Sequence, residues 1–374
     1  MQASNYVVKR ASGDIALSLG KMVDSVFRPQ LPAGEGMPWE FPHLFSESNA
    51  HNLYYAADES GPVSMVGVLP QKAVLQGITM DVASIGSVVT VPEHQGRQIS
   101  SAILQRVMAD LTTQGVPLML VSGDRGLYRR IDCVPIGRMY RAKIRKTNTV
   151  TSRLDFSRVE EVKVTEIGAE DRFAYAQKLN ALYHAEPYRY RRTDAQMAVL
   201  LNALWFKRHG YDQRLFVIEQ DGDVVAYVVP YQSRVSKSHL EVMEWAGSRT
   251  AIIASMSTIL EAFGAEEIRL PIHDEDITMQ TIVAAAGWKS EQTSLQGTVR
   301  PLNVSALIQS LEPLFVERFG TRLQVHQTGD SYHLTVGGRQ IHAENAGELA
   351  MRLFNHDADN LGLPFVHTDD LNYI

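Results

Sequence analysis

The chain has 374 residues, 45% of them hydrophobic and 21% charged, which is typical of a globular protein of two or three domains. Its net charge of −6 at pH 7 provides no basic field for nucleic acid or an anionic membrane, so we expect neither as a partner. The single cysteine, Cys133, excludes an internal disulfide framework and a cysteine-cluster zinc site. Charged residues near the start interrupt the apolar stretch that a signal peptide needs, and no apolar run is long enough to span a membrane. We therefore expect a cytoplasmic protein.

The first elements in chain order are a helix, a long loop and a hairpin. Apolar residues between Gly13 and Phe27 recur at nearly helical spacing, which predicts a helix over 13–27. The stretch RPQLPAGEGMPWEFPHLFSESN that follows predicts an ordered loop or broken helix, because its aromatic residues need somewhere to pack. From Leu53, the stretch LYYAADESGPVSMVGVLPQ predicts two strands joined by a Gly-Pro turn.

A second copy of this hairpin begins at Leu215, with the sequence LFVIEQDGDVVAYVVPYQ. After each hairpin the patterns predict a further strand, a helix and another strand. The predicted strands are DVASIGSVVTV and PLMLVSG in the first copy and HLEVMEWAG and EIRLPI in the second, and the predicted helices cover 100–114 and 251–263. The chain is thus predicted to contain the same α/β unit twice.

The pattern changes at two further places. A Thr/Ser-rich stretch, RKTNTVTSRLDFSRVEEV, predicts a domain boundary near residue 150. From residue 299 onward we predict an amphipathic helix over 304–319, strands within 322–343 and a short helix from Ala346. The predicted domains are therefore 1–150, 151–298 and 299–374, the last of them a small α+β domain.

One stretch has the pattern of a strand, a turn and a helix start that can bind a phosphate group. In VPEHQGRQISSAIL, Pro92 stops a strand, residues 95–98 form a turn, and apolar residues recurring every fourth position from Ile99 predict a helix packed on a sheet. Such a turn directs the free backbone N–H groups of a helix start at one point, where they can bind a phosphate or pyrophosphate. A plain α/β scaffold has the same pattern, so the motif alone leaves both readings open.

The stretches VVTVPEHQGRQISSAILQRVM and LMLVSGDRGLYRRIDCVPIG resemble the acyl-CoA-binding core of the GCN5-related N-acetyltransferases, the GNAT family. The order of the predicted domains resembles the Eis (enhanced intracellular survival) group within it. This resemblance implies an α/β (α+β) architecture of two tandem GNAT-like mixed-sheet domains followed by a sterol-carrier-protein-like domain. It also implies acetyl-CoA as acetyl-donor cosubstrate in the first domain and a homo-oligomer, with a hexamer as the family's example. Where the first unit has VPEHQGRQIS the second has WAGSRTAIIA, without the proline stop, so we expect no cofactor in the second domain, and we expect no metal in either.

The resemblance also implies roles for individual residues. Tyr128 is the expected acid beside the cofactor sulfur, with a packing tyrosine as the alternative, and the carboxylate of Ile374 is the expected base, with an ordinary packed terminus as the alternative. Backbone N–H groups of Val89 and Val91 are expected to bind the pantetheine arm. Gln98 and Ser100 stand where the family has glycines. The expected cofactor-binding residues are Val88, Val89, Thr90, Val91, Gln95, Gly96, Arg97, Gln98, Ile99, Ser100, Ser101, Gly123 and Asp124.

The acceptor is expected to contact Trp39, Glu40 and Phe41, because aromatic and acidic side chains suit an amine with a hydrophobic body. The same loop is equally suited to be a structural plug. We expect an N-acetyltransferase that modifies a primary amine of a cationic small molecule or a lysine side chain. The alternative is a non-catalytic ligand-binding or sensor protein that retains the fold.

Overall fold

The computed structural model describes residues 6–32, 35–145, 161–203 and 210–374. The helices are α1 Gly13–Phe27, α2 Met37–Glu40, α3 Ile99–Thr113, α4 Gly126–Arg129, α5 Arg172–Ala185, α6 Asp194–Asn202, α7 Arg249–Phe263, α8 Ile277–Ala285, α9 Val304–Phe319 and α10 Ala346–Phe354. The strands are β1 Lys9–Arg10, β2 Leu53–Asp58, β3 Gly61–Leu75, β4 Ile78–Thr90, β5 Leu118–Val121, β6 Met139–Arg145, β7 Lys163–Glu166, β8 Tyr188–Tyr190, β9 Tyr211–Gln213, β10 Phe216–Gln220, β11 Asp223–Ser233, β12 Leu240–Gly247, β13 Glu267–His273, β14 Lys289–Thr293, β15 Thr298–Pro301, β16 Gln324–Thr328, β17 Ser331–Val336 and β18 Arg339–Ala343. These elements confirm the predicted α/β class.

The chain divides into two compact units that differ from the three predicted segments. The first unit comprises residues 1–137, 296–366 and 374, and the second comprises residues 138–295 and 367–373. Strand β6 was predicted within the first domain, but it pairs with β13 and β14 in the sheet of the second unit. Strand β15 pairs with β5 in the sheet of the first. Such long-range pairing leaves no local sequence signal. The domain boundary predicted near residue 150 lies outside the described residues.

The first unit is built on a sheet with strand order β1-β2-β3-β4-β5-β15. Its pairs are antiparallel except for β4 and β5, which are parallel. Helix α3 covers one face, where Ile103, Leu104 and Val107 are fully buried with apolar residues of β2 to β5. Helix α1 packs against β3 and β4.

The central strand β4 is bulged near its end. Met65 of β3 lies opposite Val89, whereas Gly67 lies opposite Gly86, so β4 has one more residue than its partner between these pairs. The bulge places Ser87 and Val88 of β4 opposite the single residue Val66 of β3. The backbone of Ser87 is left-handed, with a φ of 50°. On the other side of β4, pairing with β5 ends at Ile85, although β4 continues to Thr90. The sheet is therefore open between the ends of β4 and β5.

The predicted C-terminal elements form within the first unit. Strands β16, β17 and β18 make a small antiparallel sheet, as the alternating pattern predicts. Helix α9 has the predicted bounds and begins after Asn303, whose side chain accepts a hydrogen bond from the Ala306 N–H. Helix α9 contacts β4 and helix α10 contacts β15. Among the described helices, none has the length and apolar character that crossing a bilayer requires.

The second unit repeats the topology of the first. Its sheet has the order β14-β6-β13-β12-β11-β10-β7, and β12 and β13 form the parallel pair. Helices α7 and α8 pack on one face, and α5 and α6 pack on the other. The hairpin β10–β11 is the second copy that the sequence predicts. Strands β10 to β13 and helix α7 thus correspond to β2 to β5 and α3.

Candidate active site

The open end of the first sheet contains a cleft of about 260 Å³. It lies between the end of β4, the start of α3 and the α4 segment. The residues that line it are Val88, Val89, Thr90, His94, Gln95, Gly96, Gln98, Ile99, Ser100, Arg125, Leu127 and Tyr128. None of these described lining residues is acidic.

The turn between β4 and α3 is shaped by backbone conformation. A 3₁₀ turn over Pro92–His94 follows the strand, and Gly96 and Gln98 then have φ values of 77° and 60°. The left-handed conformation suits Gly96, whereas it costs the non-glycine Gln98 on the order of 1 kcal/mol. It turns the chain sharply into α3, which begins at Ile99 without a side-chain cap. The backbone N–H groups of its first turn therefore lack intrahelical acceptors.

Most of the predicted cofactor-binding residues meet in this cleft. Eight of them line it: Val88, Val89, Thr90, Gln95, Gly96, Gln98, Ile99 and Ser100. The other five do not: Val91, Arg97, Ser101, Gly123 and Asp124. The strand-turn-helix pattern therefore located the cleft, but it did not identify which neighbouring side chains face it.

One predicted role on β4 is wrong. The N–H of Val91 donates to the Val63 carbonyl at 2.9 Å, so the sheet already uses the group that we expected to bind pantetheine. Because strand residues alternate in direction, Val89 also belongs to the side that pairs with β3. Thr90 lies opposite Ser64 of β3, and their hydroxyl oxygens are 2.8 Å apart. The Thr90 carbonyl is not used by the sheet and accepts a hydrogen bond from Gln95 Nε2, another residue that lines the cleft, at 3.1 Å.

Two predicted charged residues have other partners. Arg97 donates to the Glu93 carbonyl at 3.1 Å and to the Tyr6 hydroxyl at 3.3 Å. Asp124 forms an exposed ion pair with Arg129 at 2.6 Å, and this hydrogen-bonded partner lowers the pKa of the Asp124 carboxyl. Both side chains stabilise the loops beside the cleft.

Tyr128 lies in the short helix α4 and lines the cleft with 5% of its surface exposed. A methyl group placed on Gly123 would lie 3.4 Å from the Tyr128 ring, so Gly123 lies against that ring. Three further lining residues were not predicted: His94, Arg125 and Leu127. Arg125 directly precedes the GLYRR segment that contains Tyr128. Its closeness to Tyr128 in sequence could have predicted that it lines the cleft.

The residues present suit a coenzyme A pyrophosphate. The helix start offers N–H donors and a positive dipole end, Ser100 adds a hydroxyl, and Arg125 adds a positive charge. The side chain of Gln98 is exposed, so the bulk that replaces the usual glycine does not fill the turn. On the bulge, the hydroxyl oxygen of Ser87 is buried and has no hydrogen-bond partner among the described residues.

Ile374 lies against the same strand. A methyl group placed on Gly86 would lie 2.9 Å from the carboxyl carbon of Ile374, and only 4% of Ile374 is exposed. Gly86 directly precedes the Ser87 bulge, so the carboxyl group of Ile374 sits beside the point where β4 and β5 separate.

The three predicted acceptor residues have different environments. The carboxylate of Glu40 is 1% exposed and accepts two hydrogen bonds from Arg28, at 2.5 and 3.0 Å. Phe41 is also buried, at 5% exposure, whereas Trp39 is 54% exposed. The predictions for Glu40 and Phe41 are therefore corrected, because an ion pair and core packing occupy these side chains.

The second unit opens at the corresponding place, but with different chemistry. Strands β12 and β13 pair only from Leu240 to Glu241, and beyond that pair a cavity of about 330 Å³ opens. Helix α7 begins at Arg249, where α3 has Ile99. Five carboxyl groups line this second cavity: Glu186, Glu244, Glu275, Asp276 and Asp370. A pyrophosphate would be repelled there.

Other reactive side chains have structural environments. Burial raises the pKa of the Cys133 thiol to about 12, so this thiol is not a nucleophile at neutral pH. His333 and His342 face each other across β17 and β18, with ring centroids 4.7 Å apart. Within the part of the chain that the structure describes, no group of three or more histidine, cysteine or acidic residues is arranged to hold a metal ion.

Comparisons with known proteins agree with this geometry. Residues 21–136 match the family model described as an acetyltransferase (GNAT) domain. A search of curated proteins found no match.

Several solved structures share the fold. A probable N-acyltransferase from Enterococcus faecalis V583 is 17% identical, with a TM-score of 0.60 over 82% of this chain and 75% of that one. A GCN5-related N-acetyltransferase from Anabaena variabilis is 13% identical, with a TM-score of 0.61 over 91% and 85% of the two chains. Eis1 from Mycobacterium abscessus is also 13% identical, with a TM-score of 0.60 over 92% and 88%.

Proposed function

We propose that the protein is an N-acetyltransferase that transfers the acetyl group of acetyl-CoA to a primary amine. The observation that carries this proposal is the cleft of the first unit, where a bulged strand, a left-handed turn and an uncapped helix start meet beside Tyr128. Acetyl-CoA supplies an activated acetyl thioester when it is bound. The N–H groups of the α3 start, Ser100 and Arg125 would hold its pyrophosphate.

Tyr128 and Ile374 have the chemistry that transfer to an amine requires. The Tyr128 hydroxyl would donate its proton to the departing sulfur, because a thiol leaves more readily than a thiolate. The carboxyl group of Ile374 would attract the ammonium form of the acceptor and accept its proton, directly or through water. An α-carboxyl group has an ordinary pKa of roughly 3.5, so electrostatic attraction is its larger contribution.

The acceptor class belongs to the same proposal. With Glu40 neutralised by Arg28, the exposed ring of Trp39 is the remaining member of the predicted acceptor set. An aromatic face suits an alkylammonium group, such as that of a cationic small molecule or a lysine side chain.

The test is a screen of primary amines with acetyl-CoA, in which the release of free thiol is measured with a chromogenic thiol reagent. The buried Cys133 keeps the protein's own contribution low. We expect thiol release that depends on both the enzyme and an amine, with one acetyl group found on the amine for each thiol. Saturable acetyl-CoA binding without transfer to any amine would instead support the non-catalytic sensor.

A further inference from the structure

The cavity of the second unit has an excess of negative charge. Each of two arginines is shared by two lining carboxylates: Arg249 contacts Glu186 at 2.5 Å and Asp276 at 3.0 Å. Arg192, buried behind the wall, contacts Glu244 at 2.7 Å and Asp370 at 3.3 Å. Two guanidinium groups thus face four carboxyl groups, and the carboxyl group of Glu275 also lines the cavity.

The walls of this cavity also contain aromatic rings that already hold cations. The guanidinium carbon of Arg192 lies 3.7 Å from the centre of the Tyr183 ring, and that of Arg249 lies 4.9 Å from the Trp245 ring. Tyr188 stacks on His273, with ring centroids 4.1 Å apart. Aromatic faces and carboxylates together favour positive charge over negative charge.

A neutral polar group in the same wall has an unfilled hydrogen-bonding position. The Nε2 atom of His367 is buried and has no hydrogen-bond partner among the described residues. Burial lowers the pKa of His367 to about 4, so the imidazole is neutral at pH 7 and can accept a hydrogen bond at one ring nitrogen.

We propose that this cavity binds small organic cations that carry a primary ammonium group. The ammonium would donate to His367 Nε2 and lie among the lining carboxylates, while its alkyl chain contacts the Trp245 and Tyr188 rings. The cavity volume of about 330 Å³ admits a short linear amine. The proposal does not depend on acetyl transfer, because all lining residues belong to the second unit.

The test is isothermal titration of the full chain with 1,4-diaminobutane, without acetyl-CoA so that no turnover occurs. We expect saturable binding of the diamine and none of 1,4-butanediol, which has a similar shape and no charge. Potassium chloride at matched ionic strength should not reproduce the signal. Equal binding of diol and diamine, or an equal response to potassium chloride, would overturn the proposal.

Variants assign the binding to this cavity. Glu275→Gln and His367→Gln should each weaken diamine binding at least about fivefold, because one removes a charge and the other the acceptor position. Glu291→Gln is the control, since its exposed carboxylate pairs with Lys143 on the sheet and does not line the cavity. Diamine binding that only Trp39→Ala weakens would place the amine in the first unit and refute this inference, whereas the proposed acetyl transfer would stand.

Discussion

Tyr128 is the proposed general acid of the first cleft. Its side chain is buried in the cleft wall, and removing only the hydroxyl changes its volume little. We therefore expect Tyr128→Phe to lower kcat by a factor on the order of 10² to 10⁴, as loss of a general acid does. The affinity for coenzyme A, measured by titration calorimetry, should change less than twofold. An unchanged kcat would show that Tyr128 only packs in the wall.

His367 links stability to pH. Its pKa is near 6.5 in an unfolded chain and is lowered to about 4 in the fold, first by burial, so the unfolded chain binds more protons between these values. The free energy of unfolding that His367 contributes is therefore complete above pH 6.5 and is lost as the pH falls toward 4. This loss amounts to roughly 3 kcal/mol at most.

The His367→Gln variant separates the contribution of His367 to the pH dependence of stability from that of Asp370. Burial raises the pKa of Asp370 to about 6, so protonation of Asp370 stabilises the fold as the pH falls through the same range. We expect His367→Gln to lose less stability than the wild type between pH 6.5 and 4, as measured by urea unfolding. His326→Gln, at an exposed position on β16, should match the wild type. Parallel curves for all three proteins would contradict the assignment to His367.

Strand β4 determines both the opening of the sheet and the position of Ile374. Gly86→Ala would place a methyl group 2.9 Å from the carboxyl carbon of Ile374, so the carboxyl group must move. Small displacements of a reacting group are costly, and we expect kcat to fall at least about tenfold while coenzyme A affinity is retained. Gly13→Ala, in open space at the start of α1, is the matched control. Full activity of Gly86→Ala would remove Ile374 from the mechanism.

Elements with strong local signals could be predicted from the sequence, because their cause is local. Helices α1 and α9 have the predicted bounds, since apolar spacing and an asparagine cap define their ends. The turn after Pro92 could also be predicted, and it located eight of the cleft residues. Glu40 could not be assigned, because its partner Arg28 is brought close only when α2 folds against α1.

The exchange of strands between the two sheets could not be predicted either. A strand such as β6 has the same alternation whichever sheet edge it joins, and only the fold selects the edge. The acidic residues of the second cavity are spread along the sequence from Glu186 to Asp370, so no short motif predicts that they meet. Long-range contacts therefore decide the parts of the site that the sequence left open.

The two units share a topology but differ in the charge of their openings. The cleft of the first unit has no acidic residue among its described lining residues, whereas the cavity of the second has five carboxyl groups. Since coenzyme A has a highly negative pyrophosphate end, the first cleft suits it, whereas the carboxyl groups of the second cavity would repel it. The molecule is thus expected to bind one coenzyme A per chain.

Calorimetric titration with coenzyme A tests this account most directly, on the wild type and on two variants. Ser100→Glu and Thr250→Glu each add a carboxylate at the second position of a corresponding helix, α3 or α7. We expect one site per chain in the wild type, at least about tenfold weaker binding for Ser100→Glu, and unchanged binding for Thr250→Glu. Two sites per chain, or binding weakened by Thr250→Glu and not by Ser100→Glu, would contradict the account.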